Sequence, residues 1–267
     1  WLLAIGEGIS QEAQRQIEGL GANNVIVRSI KPPSDGSESS RGPLPYGLTR
    51  ADFDRLTATI PTVVRALPIR ELRRRFNYGT RVVDGRLVGC TAEYAEVTQL
   101  FVERGRFITD VDVHEQKNHC VLASEVARQL FMHEDPLGKA VRIEQDYYIV
   151  VGVMRPRAPS AGIGGSLAGQ DFKDDIYIPV TTLWNRVGDA VFTRRAGSFE
   201  GEIVELSQIT LRVNDVKRVL ETSDLVKEML RRHHPIEDYG VTITLELLEQ
   251  AKTTRLMFIL FLGLIAA

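Results

Sequence analysis

Charge of one sign is what this chain most plainly lacks: 33 lysines and arginines stand against 35 aspartates and glutamates, a formal net charge of −2. A dedicated nucleic-acid binder needs a clear basic excess, so that class is disfavoured. Cysteine is scarce, with only Cys90 and Cys120. The pair could form a disulfide in an oxidising space, but two buried free thiols is the preferred reading. A phosphate-binding loop is missing. Gly138-Lys139 is followed by Ala140 where Ser or Thr is required, and His133 stands where the first glycine should be. A zinc signature is missing too, because the spacings of His114, His119, Cys120 and His133 match no common ligand set. No cofactor or metal site is therefore expected. The N-terminal apolar stub is too short for a signal peptide and has no basic flank.

Long apolar runs are absent except at the ends. The run from Met257 to Ala267 is apolar throughout but reaches only about half of the roughly 20 residues that span a bilayer. Trp1-Leu2-Leu3-Ala4-Ile5 is apolar and leads into polar helical sequence. Both ends read as stubs of membrane helices flanking a water-exposed region, with Phe258, Leu260, Phe261, Leu262 and Ile265 inserted in the membrane. Between them the composition, 43% hydrophobic and 25% charged, is that of a folded aqueous domain.

The pattern along the chain gives an order of elements. Ile9, Ala13, Ile17 and Leu20 recur at helical spacing up to Gly21. Asn24 to Arg28 reads as a short strand, and residues 31–47 as a Pro/Gly/Ser-rich loop. Thr49 and Asp52 suggest a capping box, followed by a helix burying Phe53, Leu56 and Ile60 and ending at Pro61. Residues 62–92 read as extended chain, with a hairpin turn expected at Asp84-Gly85. Val121-Leu122 reads as a strand, and Ser124 as the cap of a helix through Phe131. A turn over Asp135 to Gly138 leads to a hairpin of Ala140–Glu144 and Tyr147–Met154. A Pro/Gly-rich loop over 155–174 precedes a strand at Ile176–Pro179, whose proline suits an edge or terminus. Gln208–Val213, a helix from Val216 to His233 and a strand at Val241–Leu245 repeat the opening strand–helix–strand order. In that helix Val216, Val219, Leu220, Val226 and Leu230 are expected on one face. Leu247 to Arg255 reads as a helix continuing into the apolar end.

Three groups of residues invite chemical readings. Gly164-x-Ser166-x-Ala168 is a near miss for a hydrolase nucleophile elbow, but prolines upstream and Gly169 downstream deny it the strand and helix it needs. His233-His234 with Arg231 and Arg232 suit a helix C-terminus, where cations meet the dipole. Arg70, Arg73, Arg74, Arg75, Arg81 and Arg86 with Phe76 and Tyr78 form the one basic-aromatic patch. It could meet acidic lipid, an anionic substrate or a partner protein; a solvated strand face is preferred, because charge runs are usually solvated.

Several segments together resemble ABC transporter permeases of the MacB type. These are Ile5-Gly6-Glu7-Gly8 with Ile17 to Asn24, the stretch Glu103 to Asp112 (ERGRFITDVD), Leu130-Phe131 with Asp135-Pro136-Leu137-Gly138-Lys139 and Val151-Gly152-Val153, the run Tyr177 to Leu183, and Arg231 to His234. The order is right and the coverage nearly complete; Leu137 departs from the small residue usual there. The resemblance implies an α+β periplasmic core domain between the first and second membrane helices. It would have a porter-like α/β part of two strand–helix–strand units (22–105 and 205–245), a mostly β Sabre-like insert (106–204), and membrane-helix ends at 1–21 and 246–267. It implies the bacterial inner membrane, with this region facing the periplasm or the extracellular side, and mechanical coupling of cytoplasmic ATP hydrolysis to export. The partners implied are a homodimer mate or related permease subunit, an ABC ATPase domain or subunit, the lipid membrane and a periplasmic adaptor. No catalytic residue is carried over, so no enzymatic activity is expected of this region. A lipoprotein-releasing permease, a membrane-held periplasmic binding or sensing module and a membrane-anchored hydrolase are the alternatives, the last disfavoured by the missing nucleophile context.

The absence of a phosphate-binding loop makes a direct prediction. Calorimetric titration of this chain with Mg-ATP should give no saturable heat; micromolar binding would refute it.

Overall fold

The computed structural model describes residues 23–32, 44–132, 134–156, 172–195 and 198–243. The expected first helix, most of the loop at 31–47, His133, the Gly162–Gly169 run, and the terminal helix with Phe258, Leu260, Phe261, Leu262 and Ile265 lie outside these residues. Among the described residues no helix is long and apolar enough to cross a membrane.

The strands are β1 (Asn24–Ser29), β2 (Leu44–Pro45), β3 (Val63–Tyr78), β4 (Arg81–Cys90), β5 (Val102–Gly105), β6 (His119–Leu122), β7 (Ala140–Ile143), β8 (Asp146–Met154), β9 (Asp175–Pro179), β10 (Ala190–Arg195), β11 (Ser198–Ile203), β12 (Gln208–Val213) and β13 (Tyr239–Ile243). The helices are α1 (Arg50–Thr59), α2 (Tyr94–Val97), α3 (Asp110–His114), α4 (Ser124–Phe131), α5 (Val180–Arg186) and α6 (Val219–His233).

The two strand–helix–strand units interleave. The sheet order β13-β1-β12-β3 is antiparallel throughout, the split βαβ arrangement. Helices α1 and α6 cover one face, where Val25, Val27, Leu56, Ile60, Ile209, Leu211, Val226 and Leu230 form one core. Thr49 supplies the expected capping box: its hydroxyl accepts the Asp52 N–H, and Asp52 accepts the Thr49 N–H. The chain enters β1 and leaves β13 at the same end of this sheet, since Val25 and Ile243 are register partners.

Strand β3 does not stop at the edge of this sheet. It spans 16 residues, about 50 Å at strand rise. Up to Ile69 it pairs with β12, and from Arg70 to Tyr78 it pairs with β4. Pro68 falls where β3 is still an edge strand, a position that tolerates the missing N–H. Beyond it the pairings β3–β4, β4–β9, β9–β6, β6–β8, β8–β7 and β7–β3 return to their origin. A closed six-stranded barrel results. Alternation sends Leu72, Phe76, Val83, Leu87, Cys120, Leu122, Val141, Ile143, Tyr148, Val150, Ile176 and Ile178 inward as a second core. Val126, Leu130 and Phe131 of α4 pack on it near the β3–β4 tip. Leu183 of α5 packs on it near the far end of β4, where Gly89 leaves room. A third core, with Leu67, Ile69, Val88, Tyr94, Val97 and Tyr177, lies outside the barrel beneath α2.

The central block was expected as a lobe apart from the sheet of the two flanking units. Instead hydrogen bonding is continuous from β13 to β5 in one ten-stranded system. The physical reason is β3, which is long enough to serve two sheets.

Three local expectations are corrected. The hairpin turns at Gly79-Thr80, between the partners Tyr78 and Arg81, and Gly79 supplies a φ of +58°. Asp84 and Gly85 lie inside β4, where a Cβ on residue 85 would sit 2.3 Å from the Asp174 carbonyl. Ser124 is the first helical residue of α4 and caps nothing; Ala123 is the N-cap, its N–H held by the Asp175 carbonyl at 2.9 Å. Leu220 is half exposed, because α6 buries Val219, Thr222, Ser223, Val226 and Leu230, a stripe about 100° away from it.

Gly85 is thus a packing glycine rather than a turn glycine. Gly85→Ala should lower stability by about 2 kcal/mol or more, since backbone stands where the methyl would go. Urea denaturation checks this, and an unchanged midpoint would contradict the packing assignment.

Candidate interaction surface along the arginine strand

The basic-aromatic segment lies on β3 and β4, and strand alternation divides it. One face of β3 continues the helix-covered face of the first sheet into the barrel interior; the other lies outside. Phe76 points inward and is fully buried. Tyr78 is half-buried at the tip, its ring 4.2 Å from that of Phe131. Arg81 donates to the Leu130 carbonyl at 2.8 Å, fixing the tip to α4.

Arg70 is buried at the junction of the helix-covered core and the barrel core. It is 4% exposed. It donates to the Ser207 hydroxyl at 3.2 Å and the Asp189 carbonyl at 3.4 Å, and its Nε has no partner. Burial lowers its pKa to about 10, with the Asp189 charge partly opposing that. Trp184 packs against both cores and carries the Arg50 guanidinium 4.6 Å above its ring. Arg50 also pairs with Asp189 at 2.5 Å, so α1, α5 and the start of β10 are tied at this seam.

Arg86 faces out of the barrel but into the α2-covered core. It grips Asp175 by two hydrogen bonds of 2.9 and 2.7 Å and reaches Glu71 at 3.3 Å. Tyr177 donates its hydroxyl to the same Asp175 at 3.1 Å. Burial opposes the Arg86 charge, but Asp175 and Glu71 outweigh it and hold the guanidinium above its ordinary range. Arg70 and Arg86 are therefore structural and lie apart from any surface site.

What remains outside is narrower. Arg73 and Arg75 are exposed on the outer stripe of β3, with Asn77 next along it. Arg75 pairs with Asp84 at 3.2 Å, and Arg74 pairs with Glu144. These residues, with Asn77 and Gly85, line an open cleft of about 500 Å³. The register places Arg142 of β7 beside Asn77, and Tyr147 of β8 beside Arg142. Tyr147 is 60% and Val82 53% exposed. Neither Arg142 nor Tyr147 was singled out from the sequence, although the alternation of the 140–154 hairpin placed both on one face.

The histidines are dispersed. His119 contacts Asp112 at 2.7 Å, and Asp112 is also held by Arg106 and by Thr109 in a second capping box. Burial works against the Asp112 charge, but these partners prevail and keep its carboxyl well below the usual range. Cys120 points into the barrel core, and both thiols are buried and outside any disulfide. Among the described residues no group of three His, Cys, Asp or Glu could hold a metal. His234 is more than a helix terminus residue. It lies 2.7 Å from Asp238 and 3.1 Å from Asp52, joining the end of α6 to the start of α1; Asp238 in turn accepts the Gly47 N–H at 2.6 Å.

These features define a class of protein: a mixed α+β domain whose split βαβ sheet runs on into a closed barrel. The periplasmic region of MacB from Actinobacillus actinomycetemcomitans is similar in fold, with a TM-score of 0.65 at 20% identity, covering 90% of this chain and 98% of that one. The extracellular domain of the ABC-type transporter YknZ from Gram-positive bacteria is similar at a TM-score of 0.59 and 20% identity, covering 82% and 100%.

The family model for the MacB-like periplasmic core domain matches residues 2–229, and the chain belongs to that family. It is 26% identical to the macrolide export ATP-binding/permease protein MacB of Wolinella succinogenes, over 100% of this chain and 38% of that protein. It is 28% identical to the MacB of Rhodospirillum rubrum, over 99% and 37%. It is 24% identical to the pyoverdine export ATP-binding/permease protein PvdT of Pseudomonas aeruginosa, over 100% and 36%. The chain thus spans little more than a third of the length of these relatives.

The Arg86–Asp175 pair gives the prediction for this region. Arg86→Leu should cost about 3–5 kcal/mol by leaving Asp175 buried and unpaired. The double variant Arg86→Leu/Asp175→Leu should recover much of that loss. Thermal and urea denaturation of both variants decide it; a double variant no more stable than Arg86→Leu alone would refute the unpaired-carboxylate account.

Proposed function

We propose that this domain is the part of an ABC export permease that lies outside the inner membrane, and that it transmits movement of the membrane helices to the periplasmic side. The observation that carries this reading is the meeting of the start of β1 and the end of β13 at one end of the first sheet, at the register partners Val25 and Ile243. Opposite residues of an antiparallel pair are only about 5 Å apart. A displacement arriving through the segments before β1 and after β13 therefore acts on two adjacent central and edge strands at once. Strand β3 starts at that same end, since Val63 pairs with Val213 and Asn24 with Arg212. It then leads without a break into the barrel. A rotation of the sheet would accordingly move the barrel as a lever.

The subdomains in this reading are a porter-like part over 22–105 and 205–245 and a Sabre-like part over 106–204, whose strands β7 and β9 close the barrel on β3 and β4 of the first. ATP hydrolysis belongs to a nucleotide-binding domain or subunit elsewhere in the assembly. A second copy or a related permease subunit completes the outer chamber, with a periplasmic adaptor above it. The relatives named for macrolide and pyoverdine export support a secreted small molecule as cargo.

The test uses the complete transporter in membranes. Spin labels at Val64, which is 57% exposed at the start of β3, report distances between two copies by pulsed electron resonance. The distance distribution should differ between nucleotide-free and ATP-trapped states. An identical distribution in both states, in a preparation that hydrolyses ATP, would refute mechanical transmission through this end of the sheet.

A further inference from the structure

The cleft beside β3 combines three observations that the transport reading does not use. The first is unbalanced charge. Arg73 and Arg142 are exposed and form no ion pair among the described residues, whereas Arg74 and Arg75 each have a carboxylate partner. The surface is locally cationic on a chain whose net charge is −2.

The second is a free strand edge. On the side away from β4, β12 pairs with β3 only as far as Ile69, and β7 begins pairing only at Phe76. Backbone groups alternate sides along a strand, so Arg73 and Arg75 direct theirs into this gap, with no strand hydrogen-bonded to them among the described residues; the Arg73 carbonyl accepts from the Arg74 guanidinium at 2.9 Å, leaving the Arg73 N–H and both groups of Arg75. The gap opens on the cleft lined by Arg73, Arg74 and Arg75 together with Asp84 and Glu144, the carboxylate partners of Arg75 and Arg74. The third is exposed apolar surface on the neighbouring strands: Tyr147 and Val82 are 60% and 53% exposed, the first opposite Arg142 and the second opposite Asn77. Tyrosine and arginine around a pocket is the composition that dominates binding energy in protein interfaces.

We propose that this cleft receives an extended, acidic segment of a partner polypeptide. Its backbone adds to the edge of β3 at Arg73 and Arg75, its carboxylates meet Arg73 and Arg142, and an apolar side chain rests on Tyr147. Strand addition explains how backbone bonds supply affinity while alternate side chains supply selectivity. Edge strands carry charge to repel indiscriminate pairing, and arginines here do so against every strand except an acidic one. A lipid surface is the poorer occupant. Arg73 lies ten residues beyond Val63, about 33 Å along the strand from the end where the chain enters and leaves. This last step rests on the proposed function; the peptide site itself does not.

The probe is a fluorescein-labelled peptide of alternating glutamate and valine, seven residues long, titrated by anisotropy with the full chain in neutral detergent micelles. Saturable binding is expected, weakening with salt, while the corresponding lysine–valine peptide does not bind. Arg73→Glu/Arg142→Glu should weaken binding about tenfold or more. Arg218→Glu/Arg231→Glu, which changes net charge equally on α6 and the turn before it, should leave binding within about twofold. Circular dichroism establishes that both doubles fold. A peptide interrupted by proline should bind about fivefold more weakly, because it cannot lie along an edge. Absence of saturable binding, or equal loss in both double variants, overturns the site. Equal binding of the proline peptide overturns the edge pairing. Vesicles with anionic lipid that capture the chain through Arg73 and Arg142, when the peptide does not bind, assign the surface to membranes and overturn the proposal. None of these results depends on ATP-driven motion, so the site can fail while the transport reading stands, and the reverse.

Discussion

A single strand shared by two sheets is the constraint on which the rest of this structure depends. Because β3 pairs with β12 over its first half and with β4 over its second, the two cores cannot be placed independently. A strand has one alternation, and a one-residue slip would turn every side chain to the wrong face. After the irregularity near Val63, the same parity serves both sheets: Ala66 packs towards the helices, and Leu72 and Phe76 fill the barrel. The opposite parity takes Leu67 and Ile69 beneath α2, then Arg73 and Arg75 into solvent. Register in one sheet therefore dictates register in the other.

The polar groups at the seam reinforce this coupling at some cost. A buried guanidinium needs partners, and Arg70 has only a hydroxyl, a carbonyl and a more distant carboxylate charge. Such a group stabilises less than an apolar side chain of the same volume would. What it contributes is specificity of arrangement, because it reads Ser207 beside β12 and Asp189 before β10 together. Arg86 is the better satisfied case, with Asp175 held by two hydrogen bonds and by Tyr177. Together these arginines fix β3, β4, β9 and the loop before β12 in one arrangement.

Elements whose signal is local were legible in the sequence. The Thr49–Asp52 capping box, the hairpin of β7 and β8, and the repeated strand–helix–strand order all rest on neighbours within a few residues. A second capping box, Thr109 to Asp112, carried the same signal and went unread as one. The errors share a cause. Asp84-Gly85 has turn chemistry, yet Gly85 is demanded by the Asp174 carbonyl pressing on it from a distant part of the chain. Leu220 has helical spacing to Val216, but α6 buries Thr222 and Ser223 in its place.

By itself, the sequence determined the class of elements, their order, the family, and the concentration of arginine on one extended segment. Periodicity, caps and composition act over short range, and a linear chain displays them in full. Only the tertiary structure decided which arginines are which. Closure of the barrel buried Phe76, and the seam between cores buried Arg70. Asp175, 89 residues away from Arg86, turned that arginine into a structural ion pair. Arg142 stands beside Asn77, which lines the same cleft as Arg73, because β7 pairs with β3. Proximity of that kind arises from strand pairing between distant segments, and no local pattern records it.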